Sequence, residues 1–246
     1  MPTNNYAALI RLAEDYIEQG EFDLVVSTYE KAVLLQPDNH LLLFKLANYY
    51  VDLEDINKAI HTYHKALALQ PDYYDALFNL GSTYADNKNL DKAILTYQKA
   101  LKSCPNDYDT LISLAATYDE NGATNKAILT YEKALLIQSE KETRNDLAWL
   151  YLVQSNFDKA ILLWENNWKA SATSDRHSSM NLGHCFLLQG DILQASIWYK
   201  RSKSLSKSFD FFSKFMQQDY LELNMETKGI LAADFQTILT QIDANI

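Results

Sequence analysis

The sequence predicts an all-α fold in which short antiparallel helix pairs stack into a solenoid. Three observations carry that prediction. The 246 residues include only 6 Gly and 4 Pro, too few for a chain built of many turns and strands, while 48% are hydrophobic and 12% aromatic, which excludes a disordered chain. Residues also recur at a step of 34: Pro37, Pro71 and Pro105; Tyr16, Tyr50, Tyr84 and Tyr118; Tyr29, Tyr63, Tyr97 and Tyr131. Within each repeat the apolar positions follow the helical period.

The third unit shows how each pair is built. Leu77, Leu80, Gly81 and Tyr84 fall at i, i+3, i+4 and i+7 and make one helical stripe. Asn87, Lys88 and Asn89 interrupt it. Leu90, Ala93, Ile94, Tyr97, Ala100 and Leu101 make a second stripe, and Pro105 closes the unit. The same frame divides the chain into units at 6–39, 40–73, 74–107, 108–140, 141–174 and 176–209. Its small positions are Ala13, Ala47, Gly81 and Ala115 on the first helices, then Val25, Ala59, Ala93 and Ala127 on the second. Small residues let helix axes approach, and the tyrosines fill the layer between them. The period continues with slips through Leu147-Ala148, Tyr151, Ala160 and Trp164, then Leu182-Gly183, Phe186, Ala195 and Tyr199.

Departures from the pattern are informative. Unit four ends in Ser139-Glu140 in place of Pro, and unit five carries Asn167 where an alanine packs elsewhere, with Trp164 and Trp168 beside it. Residues 170–174 read as a loop, and a changed superhelical angle is expected near 167–178. Residues 210–246 predict a degenerate seventh pair. Phe211, Phe212, Phe215, Met216 and Tyr220 suit a buried helix, and Ile230, Leu231, Phe235, Ile238, Leu239 and Ile242 mark one face of a C-terminal capping helix.

The recurrence resembles the tetratricopeptide repeat, whose 34-residue unit has a Leu-small pair, aromatics, alanines and a proline at set offsets. The resemblance covers nearly the whole chain. It implies a right-handed superhelical solenoid of about six tetratricopeptide helix pairs plus the degenerate seventh pair, as a single domain without room for a catalytic one. It also implies a concave groove lined by the first helices. Carried onto this sequence, the groove positions that stand out are Ile10, Glu14, Phe44, Asn48, Asp52, Asp75, Phe78, Asn79, Asp86, Asp109, Ile112, Asp119, Asp146, Trp149 and Met180. Glu18, Glu120 and Glu142 add further carboxylates, against Arg11 and Lys45. One subgroup of the family grips a terminal carboxylate with Lys and Arg; here Phe44, Asp109 and Ser113 stand where those bases would be, and only the two Asn survive.

Chemistry-bearing motifs are missing. There is no glycine-rich phosphate loop, no nucleophile elbow and no His-Glu-x-x-His, so neither catalysis nor a cofactor is expected. His61 and His64 flank Tyr63 at slots the repeat leaves to solvent. His177 and His184 stand two turns apart, too far to grip one ion, and are expected to line a binding surface. Two cysteines, Cys104 and Cys185, make neither a disulfide framework nor a metal-ligand spacing. Lys200, Arg201, Lys203 and Lys207 cluster, and are read as the exposed face of a second helix rather than a phosphate site.

With 22 Lys+Arg against 32 Asp+Glu the net charge is −10, which argues against nucleic acid as a partner. No apolar run approaches the roughly 18 residues of a membrane span, and the N-terminus lacks the pattern of a signal peptide; a soluble, cytoplasmic protein is the expectation. The function expected is a non-catalytic scaffold or adaptor that binds a protein or peptide segment, basic and amphipathic, in an acidic groove. The alternatives are a self-assembling structural protein and an acidic substrate-binding chaperone.

Overall fold

The computed structural model describes residues 3–171 and 175–205, together with 216–219, 221, 225, 230, 235, 237 and 240. Twelve helices run through the first two stretches: α1 (Thr3–Gln19), α2 (Phe22–Leu35), α3 (His40–Asp52), α4 (Ile56–Leu69), α5 (Tyr74–Asp86), α6 (Leu90–Ser103), α7 (Tyr108–Glu120), α8 (Thr124–Ile137), α9 (Lys141–Val153), α10 (Phe157–Ala170), α11 (Arg176–Leu188) and α12 (Ile192–Ser204). No strand occurs among the described residues. The fold is all-α, a helical-repeat solenoid.

Residues 1–137 and 138–246 form two compact units. In the first, each of α1–α7 packs on its successor, and the first helix α5 also touches α3 and α7. In the second, α9–α12 pack in sequence. Helices α10 and α11, which flank the expected change of angle at 167–178, thus pack within one unit. The boundary at 137/138 falls beside Ser139-Glu140, where the recurring proline is missing. Most of the seventh pair expected over 210–246 lies outside the described residues; of those described, Met216, Asp219, Met225 and Phe235 are buried.

The turn inside every pair is built the same way. The residue at its apex has positive φ: Gly20, Glu54, Lys88, Gly122, Ser155 and Gly190. The next N–H bonds back five residues, as in Asp55 N to Tyr50 O and Asn89 N to Tyr84 O, both 2.8 Å. This is a Schellman closure, in which the left-handed residue lets the chain satisfy orphan carbonyls. Three of the six apices carry a side chain, at a cost of about 1–2 kcal/mol each against glycine's freedom. Several second and first helices start on a side-chain cap: Asn39 accepts from Leu42 N, Asp55 from Lys58 N and Asp107 from Thr110 N.

Close approach explains the small residues. Ala13, Ala47, Ala59, Ala93, Ala115 and Ala127 are fully buried, as are Ala32, Ala66, Ala100 and Ala134 nearer the ends of the second helices. A Cβ added at Gly81 would sit 2.7 Å from the Tyr97 ring. In the second unit the alanine of the last turn becomes polar, and the structure shows why this is tolerated. Asn167 is fully buried, its carbonyl accepting from Arg144 Nε and its amide donating to Asn145 Oδ1 at 2.7 Å and to the Lys141 carbonyl at 3.2 Å. Ser202, at the same position one pair later, donates to the Arg176 carbonyl at 3.1 Å. Each replacement stitches the end of a second helix to the start of its own first helix.

Two tyrosine ladders recur. Tyr50, Tyr84, Tyr118 and Tyr151 each lie under a lysine eight residues on, with Nζ 5.3, 5.4, 5.5 and 4.7 Å from the ring centre. Their hydroxyls reach further. Tyr50 bonds Glu30, Tyr84 bonds His64 and Tyr118 bonds Gln98, each on the preceding second helix.

Candidate functional site

The second ladder floors the candidate site. Tyr63 and Tyr97 cross the layer from the second helices, and their hydroxyls meet the residue fifteen positions earlier on the first helix. Tyr63 donates to Asn48 Oδ1 at 2.5 Å, and Tyr97 bonds Ser82 Oγ at 3.0 Å. Asn79, on the neighbouring first helix, donates its amide to the same Asn48 oxygen at 2.9 Å. The Asn48 carbonyl is therefore spent within the protein. Its amide nitrogen and the Asn79 carbonyl oxygen make no hydrogen bond among the described residues.

Both asparagines line a cavity of about 250 Å³ with Val51, Asp52, Tyr63, Ser82, Thr83 and Asp86. Thr83 turns its hydroxyl to the Asn79 backbone carbonyl, 2.8 Å away, so the cavity keeps the two amides and two exposed carboxylates as its accessible polar groups. Burial pushes the Tyr63 hydroxyl up to about 12, against the lowering effect of the nearby polar side chains of Asn79 and Thr83, so it stays a neutral donor.

A second cavity, of about 280 Å³, is largely apolar: Tyr6, Ile10, Asn39, Leu41, Leu42, Phe44, Lys45 and Tyr73. Phe44 is half-buried against Tyr73, edge to face at 5.2 Å, and against Tyr63 at 6.3 Å. Phe78 is half-buried between Tyr74 and Tyr97. Ile112 is half-buried as well.

Of the positions expected in the groove, the structure brings Asn48, Asp52, Asn79 and Asp86 to one cavity, and Ile10 and Phe44 to another. Glu14, Asp75 and Asp109 are exposed on α1, α5 and α7. Asp119 sits in the last turn of α7, where burial raises its carboxyl above the ordinary value. Glu120 is exposed at the end of α7 and pairs with Lys88 at 2.7 Å, the lysine reaching across from the preceding turn. Two expectations are corrected. Met180 is 5% exposed and belongs to the core of the second unit, because α11 is covered on nearly every side. His184, expected on a binding surface, is fully buried, with Nδ1 at 2.9 Å from the Tyr199 hydroxyl and Nε2 at 2.9 Å from Asp219. Asp146 is exposed and Trp149 half-buried on α9 of that unit.

Sequence reasoning missed that Tyr63, Ser82 and Thr83 shape the cavity. A signal was present: Asn48/Tyr63, Ser82/Tyr97 and His184/Tyr199 share one spacing of fifteen. Elsewhere, the described residues hold no group of three or more His, Cys, Asp or Glu that could hold a metal, and no described helix is long and apolar enough to cross a membrane.

Stacked helix pairs with alanine contacts, tyrosine layers and a polar inner row define a helical-repeat protein. Residues 44–108 and 96–128 match two family models, both described as tetratricopeptide repeat, so the stretch 44–128 consists of tetratricopeptide repeats. No curated protein matches the sequence. Solved structures do. YrrB, described as a TPR protein with an unusual peptide-binding site, is 15% identical over 77% of this chain and 97% of its own, with a TM-score of 0.67. A tetratricopeptide repeat protein from Parabacteroides merdae is 16% identical over 97% and 99%, with a TM-score of 0.66. MamA from Desulfovibrio magneticus RS-1 is 15% identical over 70% and 97%, with a TM-score of 0.64. At these identities the likeness is one of fold.

Proposed function

We propose that the protein is a non-catalytic interaction scaffold whose first unit holds an extended, basic and amphipathic peptide segment along the row of α1, α3, α5 and α7. The observation that carries this reading is the cavity between α3 and α5. An unengaged amide N–H donor on Asn48 and an unengaged carbonyl on Asn79 match the acceptor and donor of one peptide unit. Asp52 and Asp86 beside them suit a lysine or arginine of the same segment. Ile10 and Phe44, in the neighbouring apolar cavity, and Phe78 and Ile112 further along, suit its apolar side chains. The peptide-binding site of YrrB is a precedent for such use of the fold.

The test is fluorescence anisotropy with a labelled Lys/Leu-alternating peptide and its Glu/Leu counterpart. The basic peptide should bind at least about tenfold more tightly, with an on-rate that falls as salt rises. Replacing Asp52, Asp86 and Asp109 together by Lys should abolish the preference while helical content is unchanged. Asn79→Ala and Phe78→Ala should weaken binding at high salt too. Preference for the acidic peptide, or equal binding by the triple variant, would refute the reading.

A further inference from the structure

The basic cluster of α12 was expected to be an ordinary solvated face, and one of its residues is not. The Arg201 guanidinium carbon lies 4.6 Å from the ring centre of Trp198 and 5.2 Å from that of Trp168 on α10. The two indoles meet edge to face, 5.2 Å apart at 88°. Trp198 is buried, Trp168 half-buried and Arg201 exposed. Among the described residues the guanidinium has these two ring contacts and no hydrogen bond or ion pair.

A guanidinium carries five N–H donors in a planar fork that fits a carboxylate bidentately. Here contacts with two rings hold the guanidinium beside the indoles, so part of the ordering of a long side chain precedes the arrival of a ligand. Lys200 is exposed on the same helix, and Lys203 is half-buried one turn further on. Lys169, on α10, is already satisfied by Glu165 at 2.9 Å. The result is a small cationic spot with an aromatic floor.

We propose that Arg201, with Trp168 and Trp198, is a docking site for an acidic peptide segment. Arg201 grips one Asp or Glu carboxylate in two parallel hydrogen bonds, Lys200 attracts a second, and an adjoining apolar side chain lies on the half-buried Trp168. A short peptide fits better than a polyanion. Three cations on one helix, in a chain of net charge −10, do not make the extended positive field that a duplex or an anionic bilayer requires. Trp and Arg are also the residues that anchor protein interfaces. The site lies wholly in the second unit, and its charge is opposite to that of the cavity on the first.

The test uses the full chain and a labelled peptide of Asp and Glu with one central Leu, beside the same peptide with Asn and Gln. Anisotropy should show the acidic peptide bound about tenfold or more tightly than its amide counterpart. Arg201→Gln should remove that preference. Arg201→Lys should restore only part of it, because the charge returns without the fork, and Trp168→Leu should weaken binding with the charge intact. Asp52→Lys with Asp86→Lys should leave it unchanged. Circular dichroism verifies folding, and Lys200→Glu, a pure surface change, should weaken binding independently. Equal affinity for the two peptides, full binding by Arg201→Gln, or tighter Arg201-dependent binding to phosphatidylserine vesicles than to the peptide would overturn the proposal.

Discussion

Asn167→Ala restores the residue that the repeat places at this position in Ala32, Ala66, Ala100 and Ala134, so repeat logic alone predicts a gain in stability. The structure predicts a loss. The change removes an acceptor for Arg144 Nε and donors to Asn145 Oδ1 and the Lys141 carbonyl, all at a fully buried site. The two neutral bonds contribute about 1 kcal/mol each and the arginine bond about 1.5–3 kcal/mol. Alanine's better helix propensity returns about 0.6 kcal/mol. Arg144 keeps its bonds to the Ser139 carbonyl and hydroxyl, which softens the penalty. The net expectation is a loss of about 2–4 kcal/mol. Urea unfolding followed by tryptophan emission is the assay, since Trp149, Trp164, Trp168 and Trp198 all lie in the second unit. With a slope of about 2 kcal/mol/M, the midpoint should fall by about 1–2 M. A cycle with Asn145→Ala should show coupling of about 0.5–1.5 kcal/mol. A midpoint equal to or above the parent's would refute the claim that this network, rather than the repeat consensus, decides the residue.

Ala93→Leu should destabilise the first unit by about 1–3 kcal/mol in chemical denaturation, because Ala93 has no exposed surface and no room for added methylenes. Glu54→Gly should stabilise it by up to about 1 kcal/mol, since Glu54 occupies a left-handed apex, φ 59°, that glycine adopts without steric cost; thermal melts decide the sign. His184→Ala should cost the second unit about 2–4 kcal/mol in the tryptophan-monitored assay, leaving the Tyr199 hydroxyl and the buried Asp219 without this partner. Burial holds the hydroxyls of Tyr29, Tyr63 and Tyr74 up at about 12, so the fold favours their neutral form. The stability this contributes is complete below about pH 10, the ordinary tyrosine value, and is lost as pH rises from there through 12. Tyrosinate absorbance should therefore rise together with loss of helical circular dichroism; titration of these tyrosines near pH 10 in a folded chain would contradict it.

Helix pairs were readable from the chain because their causes are local and repeated. A stripe such as Leu77, Leu80, Gly81 and Tyr84 requires a helix, and its return every 34 residues requires that the next unit bury it. The acidic and apolar positions proposed for the groove are read from the same phase. Position within a repeat says which way a residue faces, and it says nothing of what stands opposite. That is why the expectations for His184 and Met180 fail, since α11 is covered by packing that no spacing within it encodes, and why the partner of Glu120 is not legible, since Lys88 reaches it from a turn 32 residues earlier. The Asn48–Asn79–Tyr63 junction, the Asn167 stitch and the seat of Arg201 on Trp168 and Trp198 each join residues from different helices. Helical period governs which face a side chain takes; the distances across helices, which decide whether a polar group is spent or free, exist only once the helices pack.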